Sequence, residues 1–88
     1  MLESWVASLG LKLNELAGFE TGPGVILLAL KDGGKKASGI SYGDLRATLR
    51  SHLGPRLERY GIKTPEPMVE AVLKHLTDYQ SIFTMAAR

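Results

Sequence analysis

A short glycine–lysine segment is the first place in this 88-residue chain where residue types could do chemistry. Residues 33–36, two glycines followed by two lysines, have the composition of a loop that holds a phosphate. A P-loop needs a longer glycine spacing and a lysine followed directly by serine or threonine, whereas Ala37 follows here. We therefore interpret the segment as an exposed turn.

The two histidines are the next candidates for chemistry. His52 and His75 lie on different predicted helices and the chain has no cysteine, so no metal-binding spacing is present. A triad of Asp44, Ser51 and His52 is also excluded, because adjacent helical residues point about 100° apart and cannot form the nucleophile-to-base hydrogen bond. We expect no enzyme activity, no cofactor and no metal site.

Basic residues concentrate in the middle of the chain. Residues 31–63 hold eight basic and three acidic residues, a charge of +5, whereas residues 1–30 sum to −2 and residues 64–88 to −1. Such asymmetry suggests a polyanionic partner, although exposed helix faces with local ion pairs, for example to Glu58, would look the same. The residues predicted to contact nucleic acid are Lys35, Lys36, Arg46, Arg50, Arg56, Arg59, Lys63 and Lys74.

The first predicted helix is amphipathic and ends near Gly18. Its apolar residues recur at helical spacing, and Gly10 in its middle allows a bend. The apolar stripe either packs on the core of its own chain or forms half of a subunit contact. We expect a homodimer, because this helix precedes the helices that would form the core of the domain and its apolar stripe must be buried against some surface. The predicted dimerisation residues are Leu2, Trp5, Leu9, Leu13 and Leu16.

A second helix is predicted from Val25 to about Asp32, capped by Thr21 or Gly22 and stopped by a pair of glycines. A buried strand remains an alternative for the apolar run at residues 25–30, because a short continuous run has no diagnostic period.

Ser41 predicts the start of a third helix. Its hydroxyl can accept a hydrogen bond from the backbone N–H of Asp44, close to a capping box. Gly54 and Pro55 are expected to end or kink the helix, with a short continuation that stops at Gly61.

A fourth helix is predicted where Thr64 caps, Pro65 takes the first helical position and Glu66 complements the positive helix end. It should run to about Tyr79, and residues 81–85 suit a short strand.

The order of these elements resembles the winged helix-turn-helix superfamily. The resemblance rests on a helix (VILLALKDGG), a glycine loop, a capped helix (SYGDLRATLRSHL), a turn, a second capped helix (TPEPMVEAVLKHLTDY) and a strand (SIFTM). It implies a mainly α, single domain over residues 1–88. A three-helix core would span residues 22–88, with an extra amphipathic helix over residues 1–18 and a short C-terminal strand, which residues 38–40 would pair with.

The resemblance implies that the last helix enters a DNA major groove. Its predicted exposed residues include Glu66, Glu70 and Asp78 against Lys74, and carboxylates repel phosphates. We therefore expect a small winged-helix protein that binds double-stranded DNA largely through its basic face, as a transcriptional regulator or chromatin-associated factor. The alternative is a non-enzymatic adaptor that uses the acidic helix to bind a protein partner in a larger assembly.

Composition also bears on location. The longest apolar run, residues 25–30, is far below the roughly 20 residues of a membrane helix, and no leader pattern precedes it, so we expect a cytoplasmic protein without membrane contact.

Asn14 and Gln80 are the only side-chain amides, which suggests a thermophilic source. A melting temperature in the ordinary mesophile range would contradict that hypothesis.

Overall fold

The computed structural model describes residues 4–78, which form four helices and contain no strand. In chain order these are α1 (Ser4–Ala17), α2 (Gly22–Asp32), α3 (Tyr42–Glu58) and α4 (Glu66–Asp78). The mainly α prediction is confirmed. Leu2, Tyr79 and the predicted strand at residues 81–85 lie outside the described residues.

Residues 38–40 do not form the expected strand. The Ile40 N–H donates to the Ala37 carbonyl at 3.4 Å, and Gly39 has a φ of +75°. This left-handed conformation turns the chain into the cap of α3, so the segment cannot be extended.

The four helices share one core. α1 packs against α2 and α4, and α3 packs against the same two helices, so each helix has two principal neighbours. Leucines from all four helices are buried, and the largest contribution comes from α3. Its fully buried leucines are Leu45, Leu49, Leu53 and Leu57.

The apolar stripe of α1 lies inside this core. Trp5 is 6% exposed, Leu9 and Leu13 are fully buried, and Leu16 packs partly buried against them. The structure therefore places these side chains in the core of a single chain, the first of the two alternatives for the stripe. Trp5, Leu9 and Leu13 leave no apolar surface that a second copy could cover.

The second element is a helix, not a strand. Thr21 occupies the N-cap position, but its side chain makes no capping bond. The first N–H of the helix, from Gly22, instead donates to Asn14 Oδ1 on α1 at 2.7 Å. A residue eight positions earlier thus satisfies a helix end, which local sequence patterns do not reveal.

The third helix begins as predicted, and the predicted helical continuation beyond Pro55 is confirmed. Ser41 Oγ accepts from the Asp44 N–H at 3.1 Å. The helix continues through Pro55 to Glu58, so of the two outcomes expected at Gly54 and Pro55 the helix does not end there. A proline removes one backbone bond, and burial of the apolar side chains on both sides of it offsets that loss.

Glycines close α2 and α3 in the same way. Gly34 has a φ of +73° and Gly61 a φ of +87°, the left-handed conformation that favours glycine. The residue after each glycine donates back to a helix carbonyl, Lys35 to Leu30 and Ile62 to Leu57. Both glycine stops predicted from the sequence are confirmed as Schellman-type ends.

The fourth helix begins one residue later than predicted. The first helical bond runs from the Val69 N–H to the Pro65 carbonyl at 2.9 Å, so Pro65 rather than Thr64 is in the cap position. Pro65 is buried, and Pro67 lies in the first turn, where its missing N–H has no partner within the helix.

Candidate nucleic-acid interface

Arg46 joins α3 to α4. Its Nη1 donates to the Leu73 carbonyl at 3.3 Å and to Thr77 Oγ1 at 3.0 Å. The guanidinium therefore lies over the last turns of α4, where positive charge is favourable. This geometry gives Arg46 a structural role that its position in the sequence does not reveal.

Arg50 lies on the same flank of α3, one turn further on. Its Nη1 is 3.7 Å from Glu70 Oε1 on α4, and both side chains are more than half exposed. An exposed pair of this kind contributes little, about 0–1 kcal/mol. Arg50 nevertheless faces carboxylates rather than an open basic surface.

Arg56 makes the most ordered ion pair among the described residues. Its Nε and Nη2 donate to the two carboxylate oxygens of Asp32, at 2.9 and 2.6 Å, and its side chain is 13% exposed. This bidentate geometry ties the end of α2 to the end of α3. The hydrogen bonds from Arg56 hold the pKa of Asp32 below its usual 3.8, against an opposing effect of partial burial, and the charges of Arg56, Arg59 and His52 act in the same direction as the bonds.

Replacement of Asp32 by asparagine should lower the thermal unfolding midpoint at neutral pH. The pKa of Asp32 is depressed in the folded state, so its stabilisation is present at neutral pH and is lost as the pH falls below 3.8. The difference between the native chain and Asp32→Asn should therefore shrink as the pH falls below 3.8 and Asp32 becomes protonated. Thermal unfolding followed by circular dichroism at several pH values measures this, and an equal difference at every pH would contradict it.

The remaining predicted cations are exposed. Lys35 Nζ is 4.0 Å from Asp44 Oδ2, a marginal contact. Within residues 4–78, no carboxylate lies within 4.0 Å of the charged groups of Lys36, Arg59, Lys63 or Lys74. These four side chains are available for phosphate contacts, whereas Arg46, Arg50 and Arg56 have partners on neighbouring helices.

The charged side chains of α3 face two different neighbouring helices. Arg56 faces α2, whereas Glu58, about 200° further round the helix, faces α4. On the α4 side, Glu58, Glu66 and Glu70 line a cleft of about 250 Å³ that contains one cation, Arg50. The α4 flank of α3 therefore holds three carboxylates together with Arg46 and Arg50, whereas Arg56 pairs with Asp32 on the α2 flank.

A serine–histidine contact joins α1 to α4. Ser8 Oγ lies 2.8 Å from His75 Nε2, and both residues are partly buried. The sequence analysis missed Ser8, because 67 positions separate the two residues and no motif connects them. Its clearest effect is to hold α4 against α1, beside two shallow clefts that Lys12 also lines.

Comparison with known proteins adds no relative. No family model matches the chain, and neither a curated protein nor a solved structure is significantly similar to it. Within residues 4–78, no helix has the length and apolar character needed to cross a membrane, and no three potential metal ligands come together.

Proposed function

We propose that this chain is a small cytoplasmic DNA-binding protein that contacts phosphate backbones through one basic corner. The corner consists of Lys31 at the end of α2, Arg56 and Arg59 at the end of α3, and Lys63 in the following loop. With Asp32, which pairs with Arg56, these four cations give the corner a net charge of +3. The observation that carries the proposal is the cluster at the C-terminal ends of α2 and α3, where Arg56 pairs with Asp32 and the charge of Arg59 also acts on that carboxylate.

The positions of these cations also have a purely structural explanation. Positive side chains at the C-terminal ends of α2 and α3 complement the helix dipoles, typically by 0.3–1 kcal/mol each. Arg56 is further engaged by Asp32. Binding therefore depends on Lys31, Arg59 and Lys63, which are exposed and have no ion pair within residues 4–78.

Within this proposal, α2, α3 and α4 are the core of a winged-helix domain, in the order that the family resemblance requires. The exposed carboxylates of Glu66 and Glu70 on α4 would repel phosphates. Contact through the basic corner avoids that repulsion. Because phosphate contacts carry no sequence information, such binding would be sequence-independent. This is expected of a chromatin-associated factor or of a regulator with additional partners.

Removal of two corner charges should weaken duplex binding and its salt dependence. The double variant Arg59→Gln, Lys63→Gln removes two phosphate contacts, so the slope of log affinity against log salt should become shallower by about 2. Anisotropy titrations of a duplex of about 30 base pairs, between about 50 and 200 mM salt, measure this slope.

Arg50→Gln is the matched control, because it removes a cation from the acidic flank of the same helix. It should leave the slope unchanged. Equal effects of the control and the double variant would contradict the corner, and no binding at the lowest salt would contradict the proposed function.

A protein-binding adaptor is the second candidate, and the cleft between α3 and α4 favours it. Three glutamates surround the apolar surface of Pro55 and Val69 there, which suits a basic peptide segment. If the chain fails to bind DNA, affinity capture with native bait and a Glu66→Lys, Glu70→Lys bait would test this candidate. A partner retained only by the native chain supports it.

A further inference from the structure

An exposed aromatic side chain stands in the basic corner. Tyr60 follows Arg59 directly at the end of α3 and is 44% exposed. It is one of only three large hydrophobic side chains that the described part of the chain leaves exposed, with Leu11 and Leu28. It is the only aromatic residue of the three, and it lies between Arg59 and Lys63 in the sequence.

The Tyr60 ring is supported from one side. Its centroid lies 5.3 Å from that of Phe19, with an angle of 58° between the ring planes, within the range of favourable aromatic pairs. Phe19 belongs to the loop between α1 and α2 and packs against the core. The tyrosine ring is therefore held in place while much of it remains open to solvent.

The charged neighbours of the ring are also held in place. The pKa of Arg56 is raised, chiefly by its hydrogen bonds to Asp32 and to a smaller extent by the nearby Tyr60 hydroxyl. Arg56, Asp32 and Tyr60 thus form one connected cluster at the ends of α2 and α3. Lys63 follows Tyr60 by three residues, so their Cα atoms lie within about 11 Å.

We propose that Tyr60 is a stacking platform for an unpaired base, and that Arg59 and Lys63 hold the adjoining phosphates of a single-stranded nucleic acid. This inference rests on the proposed nucleic-acid binding and specifies its substrate class. A base within a duplex has both faces covered by its neighbours, so a fixed exposed ring flanked by cations adds affinity only where a base is unstacked. Base–aromatic stacking typically contributes 1–3 kcal/mol per base, which corresponds to about 5- to 150-fold in affinity.

The test compares a labelled oligothymidylate with a duplex of equal length at low salt, by fluorescence anisotropy. Tyr60→Leu keeps an apolar cover over Phe19 but cannot stack, so it should lose about 5- to 150-fold in affinity for the single strand and little for the duplex. Tyr60→Phe keeps the ring and should bind like the native chain. Thermal unfolding of each variant verifies that the fold is intact, and Tyr60→Met, which also lacks a ring, replaces Tyr60→Leu if the latter unfolds.

Three outcomes separate the two proposals. Tighter binding of the single strand, lost in Tyr60→Leu and kept in Tyr60→Phe, supports the platform. Salt-dependent binding of both ligands that Tyr60→Leu does not change overturns the platform and leaves the basic corner as a DNA surface. Failure to bind either ligand at low salt overturns both. A parallel titration with oligouridylate distinguishes DNA from RNA as the source of the unpaired bases.

Discussion

Replacement of Gly10 by alanine is expected to lower the free energy of unfolding by about 3 kcal/mol or more. A Cβ at this position would meet the backbone nitrogen of Pro23, and it would lie 2.5 Å from Pro23 Cα. Backbone atoms cannot move aside as the end of a flexible side chain can. The first turn of α2 would have to separate from α1.

The direction of this change in the free energy of unfolding distinguishes the helix contact from helix propensity. Glycine inside a helix normally costs 0.5–1 kcal/mol relative to alanine, so helix propensity alone predicts that Gly10→Ala stabilises the chain. Gly22→Ala should also be strongly destabilising, because its Cβ would meet the Gly10 carbonyl oxygen and lie 2.5 Å from Asn14 Oδ1. The contact between α1 and α2 therefore depends on both glycines.

Gly24→Ala and Gly43→Ala are matched controls. Both glycines are in helices, and a Cβ at either position would have no heavy atom within 4 Å. Their stability should be unchanged or raised by up to about 1 kcal/mol. Urea denaturation of the four variants measures the differences. If Gly10→Ala is as stable as these controls, the close crossing of α1 and α2 is incorrect.

Truncation of Leu9 on α1 should be the second large effect. Leu9 is fully buried, and replacement of a buried leucine by alanine typically costs 2–5 kcal/mol through lost burial and the cavity that remains. The matched control on the same helix is Leu11, which is 62% exposed. Leu11→Ala should change stability by no more than about 0.5 kcal/mol.

The same experiment addresses the homodimer predicted from the stripe of α1. Trp5 is the only tryptophan and is 6% exposed, so its fluorescence reports whether α1 is docked. If α1 is buried within one chain, the denaturation midpoint should not depend on protein concentration. A midpoint that rises with concentration would support a subunit contact through α1, and light scattering would then give the number of chains.

Charge and packing act together in the proposed site. The bidentate pair of Arg56 and Asp32 joins the ends of α2 and α3, and Arg59 and Tyr60 follow directly after the end of α3. Because Asp32 is the one carboxylate of the basic corner, the corner keeps a net positive charge. Nucleic-acid binding there should therefore weaken as the salt concentration rises. The acidic flank toward α4 should remain outside the contact surface.

Local sequence signals predicted the helices well. Apolar spacing together with cap and stop residues identified all four, and the Ser41 cap and the Gly34 and Gly61 stops are confirmed. These features depend on residues within a few positions of one another, so a one-dimensional pattern contains them. One local prediction is wrong, because residues 38–40 form a turn with Gly39 at a φ of +75° and not a strand. The predicted continuation of α3 beyond Pro55 is confirmed, since buried leucines before and after the proline anchor both parts to the same core.

Contacts between residues that are far apart in the sequence depend on the tertiary structure. The net charge and its concentration in residues 31–63 could be read directly, but not that Arg46 and Arg50 face α4 while Arg56 faces α2. Helical periodicity gives the direction of each side chain around its own axis. The identity of the neighbour it meets depends on how the helices pack, and that packing requires the close contact of α1 with α2 at Gly10.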